Sequence, residues 1–109
     1  LAIANQENKD DIRNNGLISP LIEILSNGSN KQKKEVAKTI SFLVIDNDKN
    51  KNEIRKLGGI DPLVELLSNG VNIEKAAAAL ALCNLAKGNQ INQQVIEAAE
   101  QKAYEMCDS

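Results

Sequence analysis

The sequence predicts an all-α solenoid, a fold in which short helices stack as repeated units. Three observations predict it: a repeat of 42 residues, glycine and proline at matching places in each repeat, and an almost wholly aliphatic set of apolar residues. Residues 5–28 and 47–70 align without a gap, and 14 of their 24 aligned positions are identical. Repeats of this length with two or three helices each are typical of solenoids.

The first helix of each repeat is short. In the second repeat, the spacing of Ile54 and Leu57 predicts a helix over residues 50–57. Gly58 and Gly59 follow it directly. Because glycine adopts the left-handed conformation without steric cost, we expect this pair to end the helix.

The second helix is predicted to begin at a polar residue followed by proline. Asp61 and Ser19 can accept hydrogen bonds from free amides of the first turn, and the fixed φ of Pro62 and Pro20 suits the first helical position. The residues after each proline are apolar around most of the helix, which predicts burial between neighbouring helices. Both helices are expected to end at an Asn-Gly pair, Asn27-Gly28 and Asn69-Gly70.

The third helix is the longest, and we expect Asn30 and Asn72 to cap its amino end in the two repeats. Its apolar residues in the first repeat recur at helical spacing: Val36, Ala37, Ile40, Leu43 and Val44. In the second repeat the helix contains an alanine-rich stretch over residues 76–86. Alanine favours helix formation and lets neighbouring helix axes approach closely.

The third unit departs from the pattern, because Glu100 stands where Gly16 and Gly58 stood and no proline follows. We therefore expect one continuous amphipathic helix over residues 93–107, which caps the array as terminal repeats do. Its predicted buried face consists of Val95, Ile96, Ala99, Ala103 and Met106.

The segment Gly-Gly-Ile-Asp-Pro-Leu-Val-Glu-Leu-Leu-Ser from residue 58, a short spacer, and Ala-Leu-Cys-Asn-Leu-Ala from residue 81 together resemble an armadillo repeat. The glycine-bounded short first helix distinguishes this pattern from HEAT repeats. The resemblance implies a right-handed α-solenoid, or α–α superhelix, of three-helix armadillo repeats with a C-terminal capping helix. The whole chain, 1–109, is then a single armadillo-repeat segment with units at 1–42, 43–84 and 85–109.

The resemblance also implies a mode of binding. In armadillo proteins the third helices line a concave groove that binds extended peptides. In importin-α-like members an asparagine near the end of that helix bonds the peptide backbone, and a tryptophan one turn earlier packs against its side chains. Asn84 matches this asparagine and Leu80 stands at the tryptophan position, whereas Phe42 and Lys38 replace the pair in the first repeat.

One face of the first repeat's third helix is basic. Lys31, Lys34, Lys38 and Phe42 share a helical stripe, and Glu35 can pair with Lys31 or Lys38. The stripe is either an ordinary solvated face or a basic patch that favours an acidic extended partner, as in catenin-like members. The predicted peptide-binding residues are Lys31, Lys34, Glu35, Lys38, Phe42, Leu80 and Asn84.

Composition argues against other classes of function. The chain has no histidine, no Cys-x-x-Cys pair and no phosphate-binding glycine loop, so we expect no enzyme, no cofactor and no metal site. A net charge of −2, with Phe42 and Tyr104 as the only aromatic residues, argues against nucleic acid and membrane partners. Cys83 and Cys107 are expected to be reduced thiols in the cytoplasm, with the nucleus as a second location.

Three roles are consistent with these patterns. The leading one is a protein–protein interaction scaffold that binds an extended peptide or a partner helix. The second is a purely structural section of a longer armadillo array, favoured because Leu1 aligns with Leu43 and Leu85 near the end of a repeat. The third is the substrate-selecting module of a ubiquitin ligase. Unpaired apolar residues such as Leu1 and Ile3 also predict self-association through the N-terminal end, or a low melting temperature.

Overall fold

A computed structural model describes residues 6–108, with side chains to residue 105, and within that range the chain forms seven α-helices and no strand. The helices are α1 (Gln6–Asn14), α2 (Ile18–Asn27), α3 (Asn30–Leu43), α4 (Asp48–Lys56), α5 (Ile60–Asn69), α6 (Asn72–Ala86) and α7 (Gln90–Asp108). The first three helices begin 42 residues before the next three, so the helices have the period of the sequence. The predicted all-α class is confirmed.

The core is one apolar cluster that extends from α2 to α7. Helix α3 packs against α6, and α5 packs against both α6 and α7. The apolar residues predicted for α3 are all buried, and so are most of those predicted for α5: Val36, Ala37, Ile40, Leu43, Val44, Leu63, Val64 and Leu66. The helical spacing therefore identified the buried faces of these two helices correctly.

The predicted caps of the third helices are wrong by one residue. Ser29, not Asn30, caps α3: its hydroxyl accepts a hydrogen bond from the Gln32 amide at 3.2 Å, and the Gln32 side chain accepts one from the Ser29 amide at 2.9 Å. This reciprocal pair is a capping box. Helix α6 begins after Val71, whose amide donates to the Glu74 carboxylate at 3.2 Å.

The predicted starts of the second helices are also wrong. Helix α5 begins at Ile60 and α2 at Ile18, so Asp61 and Ser19 lie inside the first turn, and no side chain caps either helix. Both prolines therefore occupy the third helical position instead of the first. Proline is tolerated there because the first four amides of a helix have no partner within it.

The two glycines after α4 have different roles. Gly58 has a φ of 83°, the left-handed conformation that was predicted to end the helix. A Cβ on Gly59 would lie 2.7 Å from Cγ2 of Ile54 and 2.8 Å from Cδ1 of Ile22. The lack of a side chain at Gly59 thus permits the close approach of α4 and α2.

Buried polar side chains connect the first two units. Asn50 is fully buried, and its amide donates hydrogen bonds to the carbonyls of Leu43 at 2.8 Å and Lys9 at 3.2 Å. Its side-chain oxygen accepts a hydrogen bond from Arg13 at 2.7 Å. This one side chain therefore links α4 to both α1 and α3.

The same contacts recur one repeat later. Asn92, also fully buried, donates to the carbonyls of Leu85 at 2.9 Å and Lys51 at 3.2 Å, and accepts from Arg55 at 2.9 Å. Each of these residues stands 42 positions after its counterpart in the first set. We refer to Asn50, Asn92 and the residues they bond as the polar network.

Two buried lysines bond to the turns that lead from one unit to the next. Nζ of Lys9 donates to the carbonyl of Ile45 at 2.9 Å, and Nζ of Lys51 donates to that of Lys87 at 2.6 Å. Each bond joins the first helix of a unit to the turn that follows its third helix. Over residues 6–105, every buried side-chain nitrogen and oxygen has a hydrogen-bond partner.

Helix α7 confirms the predicted continuous terminal helix and begins three residues earlier than expected, at Gln90. Ile96 is buried, and Ala99 and Ala103 are half-buried, as predicted. Val95 is 37% exposed and does not belong to the buried face, because its direction diverges from that of Ile96 by a quarter turn of helix. The side chain of Met106 lies outside the described residues.

Candidate peptide-binding face

The predicted binding residues lie on two helices that pack side by side. Lys31, Lys34, Glu35, Lys38 and Phe42 are on α3, and Leu80 and Asn84 are on α6. We call these seven residues the third-helix face. Two pairs occupy equivalent positions in the repeat, Lys38 with Leu80 and Phe42 with Asn84.

Two large apolar side chains of this face are open to solvent. Phe42 is 51% exposed and Leu80 is 52% exposed, although both belong to helices whose opposite sides form the core. Neither residue is needed to complete the apolar cluster, which they do not join. Exposed apolar side chains beside charged groups are a common feature of interaction surfaces.

The charge of the face is concentrated on α3, which carries four lysines (31, 33, 34 and 38) and one glutamate, a net charge of +3. The carboxylate of Glu35 lies 3.6 Å from Nζ of Lys34 and 3.9 Å from Nζ of Lys38. The predicted pairing with Lys38 is present, and Lys34 joins it. One carboxylate shared between two ammonium groups leaves the helix with an excess of positive charge.

Asn84 is half-buried and already makes a contact within the chain. Its side-chain amide donates a hydrogen bond of 3.1 Å to the carbonyl of Ser41, near the end of α3. The residue therefore helps to hold α6 against α3. Replacing Asn84 by alanine would remove this bond as well as any contact with a partner, so this substitution is a poor probe of binding alone.

Two further residues of α6 extend the face and were missed by sequence reasoning. Ile73 is 63% exposed, and Ala76 is exposed between it and Leu80, at helical spacing along one stripe. Their equivalents in the first repeat are Lys31 and Lys34. The repeat alignment was therefore a signal that could have identified both.

A polar recess of about 580 Å³ adjoins the face at the carboxyl ends of α3 and α6. It is lined by Ile45, Asp46, Asp48, Lys51, Asn84, Lys87 and Gly88. The recess has no net charge, because the carboxylates of Asp46 and Asp48 balance the ammonium groups of Lys51 and Lys87. Nζ of Lys51 lies 3.7 Å from Oδ1 of Asp48. Over the described residues, no group of three or more His, Cys, Asp or Glu side chains could hold a metal ion.

Two groups outside the seven residues of the third-helix face have distinct chemistry, a carboxylate on α1 and a thiol on α6. A hydrogen bond from the Asn47 amide, with a second from Arg13, lowers the pKa of Asp10 on α1 below its ordinary value of 3.8. Cys83 on α6 is a free, exposed thiol. No helix within residues 6–108 is long and apolar enough to cross a membrane.

Comparison with protein families identifies one repeat. Residues 47–87 match the Armadillo/beta-catenin-like repeat. The chain contains an armadillo repeat. The matched segment includes the whole of α4, α5 and α6, and the resemblance predicted from the sequence is confirmed there. Comparison with curated proteins and with solved structures gives no match.

Armadillo repeats are generally scaffolds for protein interaction. In the matched repeat the third helix is α6, which carries Leu80 and Asn84. Helix α3 stands 42 residues earlier, at the equivalent position outside the matched segment.

Proposed function

We propose that the chain is a protein–protein interaction scaffold and that it binds an extended peptide or a partner helix on the third-helix face. The observation that carries this proposal is the exposure of Phe42 and Leu80 on packed neighbouring helices beside a cluster of lysines. An apolar contact supplies most of the affinity of such a site, and charge supplies rate and selectivity. The segment acts by binding and not by catalysis.

We propose further that the units wind as a right-handed solenoid and that the third-helix face is concave. The close packing of α3 against α6 supports this, because it brings the third helices of successive units side by side. A concave face of this kind offers a partner contacts with two helices at once. An extended segment can then cross both helices without folding.

The partner is proposed to be acidic. The net charge of +3 on α3 attracts carboxylates, and the lysines are partly solvated, so their effect depends on ionic strength. Each exposed ion pair is worth only about 0.2–1 kcal/mol, so several must act together. Binding of an acidic peptide should therefore weaken markedly as salt is added.

Fluorescence anisotropy with pools of acidic and basic extended peptides at two salt concentrations tests the proposal. We expect the acidic pool to bind and Lys38→Glu to weaken binding by about three- to tenfold. Lys56→Glu, on the exposed end of α4, makes the same change in net charge away from the face and is the matched control. Equal effects of the two variants, or no binding of either pool, would contradict the assignment.

A second role is that of a purely structural section of a longer array. The exposure of Ile24, at 39%, favours it, because the equivalent residue Leu66 is only 5% exposed where a preceding unit covers it. The third role, the substrate-selecting module of a ubiquitin ligase, would use the same third-helix face. We also propose a cytoplasmic or nuclear location, which the free thiol of Cys83 supports.

A further inference from the structure

We propose that the third-helix face selects a bipartite segment, in which an acidic residue and a large apolar residue stand about three residues apart. This inference rests on the proposed function and adds the partner's sequence pattern. It is carried by a change of chemistry between equivalent positions of α3 and α6.

At three positions of the repeat, a lysine on α3 is replaced by an apolar residue on α6. The pairs are Lys31 with Ile73, Lys34 with Ala76, and Lys38 with Leu80. Because each pair has the same place in its unit, the basic stripe of one helix lies beside an apolar stripe of the next. A partner that crosses both helices therefore meets two different surfaces.

The apolar stripe on α6 has a shape that suits one large side chain. Ile73 and Leu80 are both more than half exposed, and the small Ala76 lies between them. A small residue between two large ones at helical spacing leaves a notch on the helix surface. Covering Ile73 and Leu80 with an apolar side chain would remove their exposed surface from water, which favours binding.

Of the two helices, only α3 is expected to attract an acidic residue of the partner. Within α6, the charges of Glu74 and Lys75 cancel, whereas α3 has a net charge of +3. An acidic residue placed over α6 would gain no net attraction and would lose the apolar contact. An apolar residue placed over Lys31, Lys34 and Lys38 would cover lysine head groups that are better left solvated, and the exposed Phe42 lies beyond them, near the carboxyl end of α3.

The distance between the helices sets the spacing of the motif. Packed helix axes are about 8–10 Å apart, and an extended chain advances about 3.3 Å per residue. An acidic side chain over α3 and an apolar side chain over α6 are therefore separated by about three residues.

The test uses four fluorescent peptides of equal length, each with the same two glutamates. In the first peptide a leucine stands three residues before the glutamates, and in the second it stands three residues after them. The third has the leucine moved about nine residues away, and the fourth has serine in place of leucine at the spacing of three. We expect one of the first two to bind at least about fivefold more tightly than the third and fourth, and the favoured order gives the direction of the bound chain.

Leu80→Gln locates the effect, and Ile91→Gln, at an equally exposed position on α7, is its control. Leu80→Gln should remove the advantage of the spaced leucine and leave the residual binding of the serine peptide, while Ile91→Gln should preserve the advantage. Circular dichroism checks that both variants fold, as expected for exposed helical positions.

Two results would overturn the inference. Equal binding of all four acidic peptides would reject the bipartite pattern and leave the proposed function standing. Absence of binding by every acidic peptide would reject the pattern and the proposed function together.

Discussion

At the scale of single residues, buried polar groups hold neighbouring units in register. Asn50 donates two hydrogen bonds and accepts one, and Asn92 repeats that arrangement one unit later. Hydrogen bonds have directional geometry, whereas apolar contacts do not. The polar network therefore specifies how far one unit can slide or rotate against the next.

Asn50→Ala should destabilise the chain by about 3 kcal/mol, because it removes the hydrogen bonds of a fully buried side chain to Arg13 and to the carbonyls of Leu43 and Lys9. Urea unfolding measures this loss. Asn27→Ala, at an exposed position, should change the free energy of unfolding by less than about 0.5 kcal/mol. Similar free energies for the two variants would show that the network does not stabilise the stacking of units.

Asp10 should make the free energy of unfolding depend on pH in the acid range. Hydrogen bonds from Asn47 and Arg13 lower its pKa in the folded chain below the unfolded value of 3.8. Ionised Asp10 therefore stabilises the fold above that value, and the stabilisation is lost as the pH falls through the folded pKa.

Asp10→Asn is the variant that isolates this effect, since it keeps the shape of the side chain and removes its titration. Thermal melts across the acid range should show that the melting temperature of the parent falls more steeply than that of Asp10→Asn below about pH 5. Parallel curves for the two proteins would contradict the expectation.

The repeat alignment contains residues of the polar network, but the sequence did not predict their hydrogen bonds. Lys9, Arg13 and their equivalents are among the identical positions of the repeat alignment. Their hydrogen bonds to Asn50 and Ile45 span 36 or more residues, so they depend on how units stack and not on local pattern. Apolar spacing, in contrast, follows directly from helix geometry, and it identified the core of α3 correctly.

At the scale of secondary structure elements, the break between α4 and α5 distinguishes the second unit from the unit that contains α7. Gly58 has a left-handed φ of 83°, and nothing lies within 4 Å of a Cβ built there. Gly58→Ala should therefore cost about 1 kcal/mol through backbone conformation alone.

Glu100 occupies the same place in the repeat as Gly58 but lies inside the continuous helix α7, so it offers a matched control. Glu100→Ala should be neutral or slightly stabilising, because alanine favours helix at an exposed position. Thermal melts of the two variants measure the contrast. Equal losses would mean that the conformation of Gly58 does not determine the break.

Helices were easier to predict than their first residues. Gly58 and the continuous α7 were correctly predicted, because glycine conformation and the absence of a break are local properties. The cap at Asn30 was not, because Ser29 and Asn30 both stand at the start of α3 and only the folded turn selects between them. The cap at Asp61 was not, because α5 begins one residue earlier, at Ile60, without a side-chain cap. Ser29 caps α3 instead of Asn30, because Ser29 and Gln32 each accept a hydrogen bond from the backbone amide of the other.

At the scale of the whole molecule, a small net charge conceals a strong separation of charge. The chain carries −2 overall, yet α3 carries +3, while α7, with four acidic residues and one lysine, carries −3. The molecule is also elongated, at 45 × 29 × 20 Å. An acidic partner can therefore be attracted to one helix although the chain as a whole is acidic.

The exposed flank of the first unit predicts self-association. Ile24 and Leu17 are both exposed there, whereas Leu66, the equivalent of Ile24, is buried by the preceding unit. The residues first expected to form this contact, Leu1 and Ile3, lie outside the described range. Sedimentation should show a concentration-dependent dimer or larger species that Ile24→Gln weakens by about tenfold and Ile91→Gln does not. A monomer at every concentration would contradict this expectation.

The exposure of the proposed binding residues was predictable to the level of the helix face. Lys38 and Leu80 were singled out because both stand at the tryptophan position that the armadillo resemblance implies, and both side chains are exposed. The internal bond of Asn84 to Ser41 was not, because it joins two units across 43 residues. Sequence pattern thus locates a surface, while the structure decides which of its polar groups are already occupied.

The measurement that tests the central claim most directly is nuclear magnetic resonance mapping of a bound acidic peptide on the isotopically labelled chain. Binding at the third-helix face predicts amide shift changes concentrated at Lys31, Lys38, Phe42 and Leu80, with little change in α1 and α4. Changes centred on α1 and α4, or no changes at peptide concentrations well above the chain concentration, would contradict the assignment of this face.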